Sequence, residues 1–370
     1  MAEALKTNPT CWFAYKGLSL DTSGRMNPCG QSTYPLGQFS DYNSLLLDRD
    51  KVVKDFQTEI PKGCFSCSNR EQRSMPSRRL HHYDWFTQTK NYDIEFLDIS
   101  IGNLCNLKCR MCNPYISTSW IKDSHLQDKL DFTLKNFNNK KVLDNITDDF
   151  LQYVADLKSL RYIILKGGEP FMHPRLFELL DLLKNKKDIV LQFITNGTHV
   201  LSKEEFNIIS QFKKLKIFFS TEADGKMYEY IRGQQYTFDE ALENFQKFKQ
   251  FDNIDEIAWL YTANIYGMYA FDSLQHKVDH KLDLGQQVFN PIFLNPLITP
   301  DTQKHKIIKD TKYAHFKNYM STDPIELFSI TNEQRNTYLK QFKEYTLELD
   351  NIRNESLYNI EPKFEWMYKI

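Results

Sequence analysis

The chain has no surplus of charge of either sign: 47 basic residues stand against 48 acidic ones, for a formal net charge of −1. Without a strong field of one sign, nothing draws it by bulk charge onto nucleic acid or an anionic membrane. It lacks any apolar run near the roughly 18 residues that a membrane-crossing helix needs, and its mean hydropathy is −0.55. Residues 1–15 show no basic segment followed by an apolar one, so no secretory signal is expected and the expected compartment is the reducing cytoplasm. Internal repeats and low-complexity tracts are missing too. What is left is a globular chain of 370 residues, 41% hydrophobic, long enough for about two domains.

Cysteine is missing beyond residue 112. All seven, Cys11, Cys29, Cys64, Cys67, Cys105, Cys109 and Cys112, lie before that point. An odd number in a reducing compartment argues against a disulfide framework, and clustered thiols there are more often metal ligands or catalytic groups. The plain alternative is cysteine used as a small buried hydrophobe. Against it, Cys105-x3-Cys109-x2-Cys112 should arise by chance in only about three of a thousand such chains.

From Ile94 to Pro296, short β-branched or aromatic runs alternate with longer amphipathic ones, the pattern of parallel βα units. Six strands are expected: Ile94–Ile101, Tyr162–Lys166, Ile189–Thr195, Lys216–Ser220, Glu256–Ala263 and Gln287–Asn295. Most are nearly continuous apolar runs, which predicts strands covered on both faces. Helices are expected at Asp148–Lys158, Pro174–Asn185, Lys203–Phe212, Phe238–Phe251 and Ala270–Val278, with Ser202 and Glu205 forming a capping box. Right-handed crossovers then make an α/β fold, a six-unit partial barrel with its chemistry at the carboxyl ends of the strands. The first connection, Gly102 to Leu160, is long enough for an extra helix and an insertion. The expected division is a small, turn-rich, cysteine-bearing domain at 1–90, the barrel at 91–300 and a helical carboxy-terminal extension at 301–370, with one helix at Asn332–Leu349.

The thiols of Cys105, Cys109 and Cys112 follow the first expected strand directly. Three thiolates do not complete a tetrahedral zinc site, but they can hold three irons of a four-iron cluster and leave the fourth open. At this point LDISIGNLCNLKCRMC resembles the radical S-adenosylmethionine (SAM) superfamily, whose fold is such a partial barrel. The resemblance implies a 4Fe-4S cluster whose open iron chelates SAM and cleaves it reductively to a 5′-deoxyadenosyl radical. Met111 stands where the family usually has an aromatic residue against the adenine. Gly167, Gly168, Glu169 and Pro170, after the second strand, match the family's GGEP, with the glycines allowing close backbone approach to a ligand and Glu169 accepting from the SAM ammonium. Thr195-Asn196-Gly197 ends the third strand. The segment FSTEADGKMYEYIRG resembles the family's SxDG…YxxIRG, which implies that Ser220 meets the SAM ribose or carboxylate and Arg232 the carboxylate. Glu222 stands where Asp is common. Asn264 and Asn295 are expected near adenine or substrate, and His173 is a further candidate base.

The other four cysteines form a complete ligand set. On spacing alone a structural zinc ribbon fits Cys11, Cys29, Cys64 and Cys67. Cys11-x12-Gly24-x4-Cys29, however, resembles the opening of the twitch and SPASM auxiliary modules of radical SAM proteins. The stretch CFSCSNREQRSMPSRR resembles their CxxCxxxE…SxR, with Glu71, Ser77 and Arg78 at matching places. That implies a fully ligated auxiliary iron–sulfur cluster, here placed before the barrel. Such a cluster offers no open iron to substrate and implies electron transfer, hence an oxidative modification, dehydrogenation or crosslinking, of a peptide or small molecule. An external electron donor such as flavodoxin or ferredoxin is implied as well. The alternatives are a radical SAM enzyme acting on a nucleotide or nucleic-acid component, and a non-catalytic zinc or iron–sulfur protein. Arg73, Arg78, Arg79, His81 and His82, between module and barrel, are either a solvated linker face or contacts to substrate or cluster.

Overall fold

The computed structural model describes residues 11–38, 49–56, 60–72, 77–123, 141–278, 282–287 and 291–370. Helix α1 (Trp12–Lys16) leads into strands β1 (Gly17–Leu20), β2 (Arg25–Asn27) and β3 (Gly37–Gln38), then helices α2 (Phe65–Gln72) and α3 (Arg78–His81). A five-residue helix does not hold itself together in water, and α1 is held from outside. The buried Arg49 guanidinium donates to the carbonyls of Ala14 at 3.1 Å, Tyr15 at 3.2 Å and Gly17 at 2.5 Å. Lys16, also buried, pairs with Glu95 at 2.8 Å.

The barrel follows as β4 (Phe96–Ser100), α4 (Asp148–Ala155), β5 (Tyr162–Lys166), α5 (Leu176–Leu182), β6 (Val190–Thr195), α6 (Lys203–Ile209), β7 (Lys214–Thr221), α7 (Gly225–Arg232), α8 (Phe238–Phe248), β8 (Ile254–Ala263), α9 (Phe271–Val278) and β9 (Leu282–Gln287). Strands β4 to β9 pair in chain order, all parallel. The α/β class and the barrel-like parallel sheet are as expected, and Ser202 and Glu205 form the expected capping box on α6. The sheet is larger than expected. Strand β1 pairs parallel to β4, and β2 and β3 extend it antiparallel, giving nine strands in the order β3-β2-β1-β4-β5-β6-β7-β8-β9. One sheet therefore runs across the expected boundary between residues 90 and 91.

Strands β4 and β5 are buried on both faces, as expected, but β6 to β8 are not. Along β6 and β7 buried residues alternate with half-buried ones. The buried side packs on the helices, with Phe219 5.1 Å and Trp259 4.9 Å from Phe245 between ring centroids. The other side carries Asp98, Ile164, Gln192, Lys216 and Glu256 in one lateral row. The row is buried at Asp98 and Ile164 and half-buried at Gln192, Lys216 and Glu256, so the apolar appearance of β6 and β7 comes mainly from the helix-covered face.

The sixth parallel strand is Leu282–Gln287, not Gln287–Asn295; residues 288–290 lie outside the described residues, and Ile292–Leu294 is a 3-10 turn. Pro291 and Pro296 bracket that apolar turn and cannot donate to a ladder, whereas the Asp, Gly and Gln of the real strand mask its β character. Helix α7 was not expected, because its segment was matched to a ligand-contacting motif instead. In the long first connection the described part holds a 3-10 helix at Thr118–Asp123 and an antiparallel bridge between Gly102 and Asp144; an extra helix in 124–140 would lie outside the described residues. The carboxy-terminal region is helical: α10 (Asp301–Asp310), α11 (Ala314–Met320), α12 (Pro324–Phe328) and α13 (Asn332–Arg353). Among the described residues no helix is long and apolar enough to cross a membrane.

Candidate functional site

Strand β4 delivers the chain to the carboxyl end of the barrel, where the loop bearing Cys105, Cys109 and Cys112 begins. The loop after β5 is laid directly on it: Gly168 N donates to Gly102 O at 2.9 Å and Glu169 N to Leu104 O at 2.8 Å. A Cβ on Gly167, where φ is +134°, would come within 2.6 Å of Gly102 O, and one on Gly168 within 2.3 Å of Leu104 O. The two glycines thus admit the neighbouring cysteine loop, where a ligand was expected to approach them. Pro170 follows at the start of a 3-10 turn (Pro170–Met172).

That docking carries Glu169 into the interior, where it is 1% exposed. Its Oε1 accepts from Thr195 Oγ1 at 2.8 Å and Phe171 N at 3.2 Å, and its Oε2 from Asn196 N at 2.6 Å. Burial nonetheless holds its carboxyl above the usual range, against those three donors. Asn196 bridges onward, its Nδ2 donating to Asn106 Oδ1 at 2.9 Å and lying 3.9 Å from Cys105 Sγ. Glu169, Thr195, Asn196 and Cys105 therefore form one connected group.

Cys109 is buried, Cys105 and Cys112 partly so. Burial and the neighbouring Cys109 push the Cys105 thiol up to about 12. A hydrogen bond between the thiols of Cys109 and Cys112 sets Cys109 below and Cys112 well above the ordinary range. Burial thus disfavours free thiolates here, and a bound cation would offset their charge. Met111 is half-buried against the core.

Glu222 and Arg232 are 2% and 3% exposed. They form a bidentate pair, Arg232 Nε donating to Glu222 Oε2 at 2.8 Å and Nη2 to Oε1 at 2.9 Å. The Arg232 charge is felt at Cys109, which places the pair beside the thiols. The guanidinium expected to meet a ligand carboxylate already holds a protein carboxylate. Ser220 is half-buried on β7, on the same face as Phe218 and Lys216, toward the lumen. Asn264 and Asn295 are spent on their own turns: Asn264 Oδ1 accepts from the amides of Tyr266 and Gly267, and Asn295 Oδ1 from that of Leu297. Both ring nitrogens of His173 are occupied. Nδ1 accepts from Arg175 N at 3.2 Å, so Nε2 carries the proton and donates to Asp144 at 2.8 Å, an arrangement that holds loops and leaves no free base.

Cys11, Cys29, Cys64 and Cys67 come together on the wall of one small pocket, shared with Arg78 and Arg79. All four are buried. Burial pushes the Cys64 thiol up to about 11 and raises Cys11 and Cys29 as well. Among the described residues no three His, Cys, Asp or Glu side chains are grouped as ligands of a single metal ion. Glu71 is bound by Ser77 and by Arg79, the latter at 2.5 Å; Arg79, not Arg78, is its arginine. Arg78 instead reaches Asp98 of β4 at 3.2 Å, and Asp98 also pairs with Lys166 of β5 at 2.5 Å. Burial would raise the Asp98 carboxyl, but Lys166 and Arg78 outweigh it and hold it below the usual range. This ion triad spans from the cavity to the barrel and is not among the expected site residues. Its signal was present in a carboxylate placed mid-strand in LDISI, since a buried charge needs partners. His82 packs its ring 3.9 Å from that of Trp85, and burial lowers it to about 4. His81 is exposed, and Arg73 lies outside the described residues.

Residues 99–270 match the family described as the radical SAM superfamily, a little under half of the chain. No curated protein sequence matches. Among solved structures, native anSMEcpe with bound AdoMet and Kp18Cys peptide is similar at 16% identity over 69% of this chain and 60% of that one, with a TM-score of 0.37. Native anSMEcpe with bound AdoMet gives 17% identity over 69% and 61%, at 0.38. Streptococcus suis SuiB bound to precursor peptide SuiA gives 16% over 48% and 36%, at 0.32. The chain thus spans about 60% of the length of anSMEcpe.

Proposed function

We propose that this protein is a radical SAM enzyme with an auxiliary iron–sulfur cluster. The observation that carries the reading is the group at the carboxyl end of β4 to β6. There, three thiols on one loop adjoin a buried Glu169 and an Asn196 whose amide lies 3.9 Å from Cys105. The donor set fits: three thiols suit a four-iron cluster with one open iron. The remaining four stand apart on their own cavity. When bound, the 4Fe-4S cluster and SAM supply one-electron cleavage and a 5′-deoxyadenosyl radical that abstracts a substrate hydrogen.

The protein's own residues orient and exclude. Glu169, with both oxygens engaged, shapes the wall beside Cys105. Met111 and Ser220 border the ligand space, and the Glu222–Arg232 pair stands beside Cys109. Cys11, Cys29, Cys64 and Cys67 hold the auxiliary cluster, with Arg78 and Arg79 offsetting its charge. A fully ligated centre serves electron transfer, which favours oxidation of a peptide or small molecule held at the carboxyl ends of the strands. The electron comes from an external donor such as flavodoxin or ferredoxin.

Anaerobic reconstitution with iron and sulfide, followed by dithionite and SAM, is expected to yield 5′-deoxyadenosine and about eight irons per chain. About four irons with one zinc would remove the auxiliary cluster. No 5′-deoxyadenosine from fully loaded protein would remove the enzyme reading.

A further inference from the structure

The end of α13 grips the cysteine loop from far along the chain. Tyr345 Oη donates to Arg110 O at 2.7 Å and Arg353 Nη2 to Lys108 O at 2.8 Å. Between them Cys109 O accepts from Trp120 Nε1 at 2.9 Å, and the Arg353 guanidinium lies 5.0 Å from the Trp120 ring. The carbonyls of residues 108, 109 and 110 are therefore each taken by a side chain. The Arg110 side chain, fully buried between the second and third thiols, points into the same junction. Its Nη2 donates to Asp350 Oδ1 at 2.7 Å and also meets Glu355. The guanidinium stacks 3.6 Å from the Tyr230 ring, whose hydroxyl donates to the same Asp350 oxygen at 2.7 Å.

A buried ion cluster of this kind adds little net stability, because desolvation offsets the attraction, but it permits few alternative geometries. Peptide groups are planar. Tying three successive carbonyls fixes the orientation of the peptides flanking Cys109, and Cys112 N, which donates to Cys109 O at 2.9 Å, carries that orientation on to Cys112. Partners that orient metal ligands in this way tune the centre the ligands hold.

We propose that α13 is a positioning clamp: Tyr345, Asp350 and Arg353 hold Lys108–Arg110 so that the thiols of Cys109 and Cys112 face their metal centre in one geometry. That the centre is an iron–sulfur cluster rests on the reading above; the clamp itself does not. The test uses full-length Tyr345→Phe and Asp350→Asn, with Lys340→Ala on the exposed side of α13 as control. Hydrogen exchange in the metal-free chain is expected to rise at residues 105–112 in both variants, while the melting temperature stays close to wild type in Tyr345→Phe. After reconstitution, Tyr345→Phe is expected to lose iron to a chelator roughly twofold to tenfold faster. The electron paramagnetic resonance signal of the reduced centre should shift, and Lys340→Ala should match wild type throughout. Unchanged exchange at 105–112 in both variants would overturn the clamp. Faster exchange in a protein that takes up no iron would uphold the clamp and overturn the radical SAM reading instead.

Discussion

The two groups of thiols are built in opposite ways. Cys105, Cys109 and Cys112 come from eight consecutive residues on one loop, which neighbouring elements then hold in place. Cys11, Cys29, Cys64 and Cys67 come from three separate stretches and share a wall only because the amino-terminal segments fold against one another. In the first group local spacing brings the thiols together and other elements hold their loop. In the second, tertiary structure brings the thiols together. The Arg78–Asp98–Lys166 triad joins the two, since Arg78 lines the cavity and Lys166 leads into the loop that docks on the first thiols.

The largest expected effect comes from removing thiols. Cys109→Ala should abolish 5′-deoxyadenosine formation, whereas Cys29→Ala should keep it and lower the iron content from about eight to about four per chain. Mass spectrometry and iron counting read both, and loss of SAM cleavage in Cys29→Ala would break the division between the groups.

Next is the joint. Asp98→Asn leaves Arg78 and Lys166 without their carboxylate and should cost about 3 kcal/mol in denaturant unfolding. Because the folded Asp98 carboxyl lies below its ordinary range, its contribution is present above that range and is lost as pH falls through the folded value. The gap between wild type and variant should therefore narrow below about pH 4; a gap that widened in acid would show that the triad is not what stabilises the joint.

Gly168→Ala tests the loop docking. Its Cβ would meet the Leu104 carbonyl at 2.3 Å, and the backbone shift should cost about 1–3 kcal/mol and slow SAM cleavage. Full activity and stability in this variant would mean that the two loops tolerate separation. The smallest effect is expected at Ser32, whose hydroxyl lies 3.5 Å from Cys64 Sγ. Ser32→Ala should change stability by less than about 1 kcal/mol and shift only the spectrum of the amino-terminal centre.

The sequence was most legible where structure is local. Strand β5 is residue for residue as expected, and the box at Ser202 and Glu205 needs only three residues of spacing. It was least legible where the partner is distant. Strand β1 joins β4 through pairing that no local pattern announces. Asn264 and Asn295 look like site residues at strand ends, but their amides close their own turns. Arg232 matched a ligand contact, yet Glu222, ten residues away, takes its guanidinium.

By itself the sequence determined the donor chemistry. Seven thiols divide into three and four by spacing alone, and the alternation of β and α runs sets a parallel sheet with its loops at one end. Only the tertiary structure decided which charges are spent inside the protein and which elements hold the loops. A buried carboxylate or guanidinium takes the nearest partner the fold supplies, and here those partners are Lys166, Glu222 and the far end of α13.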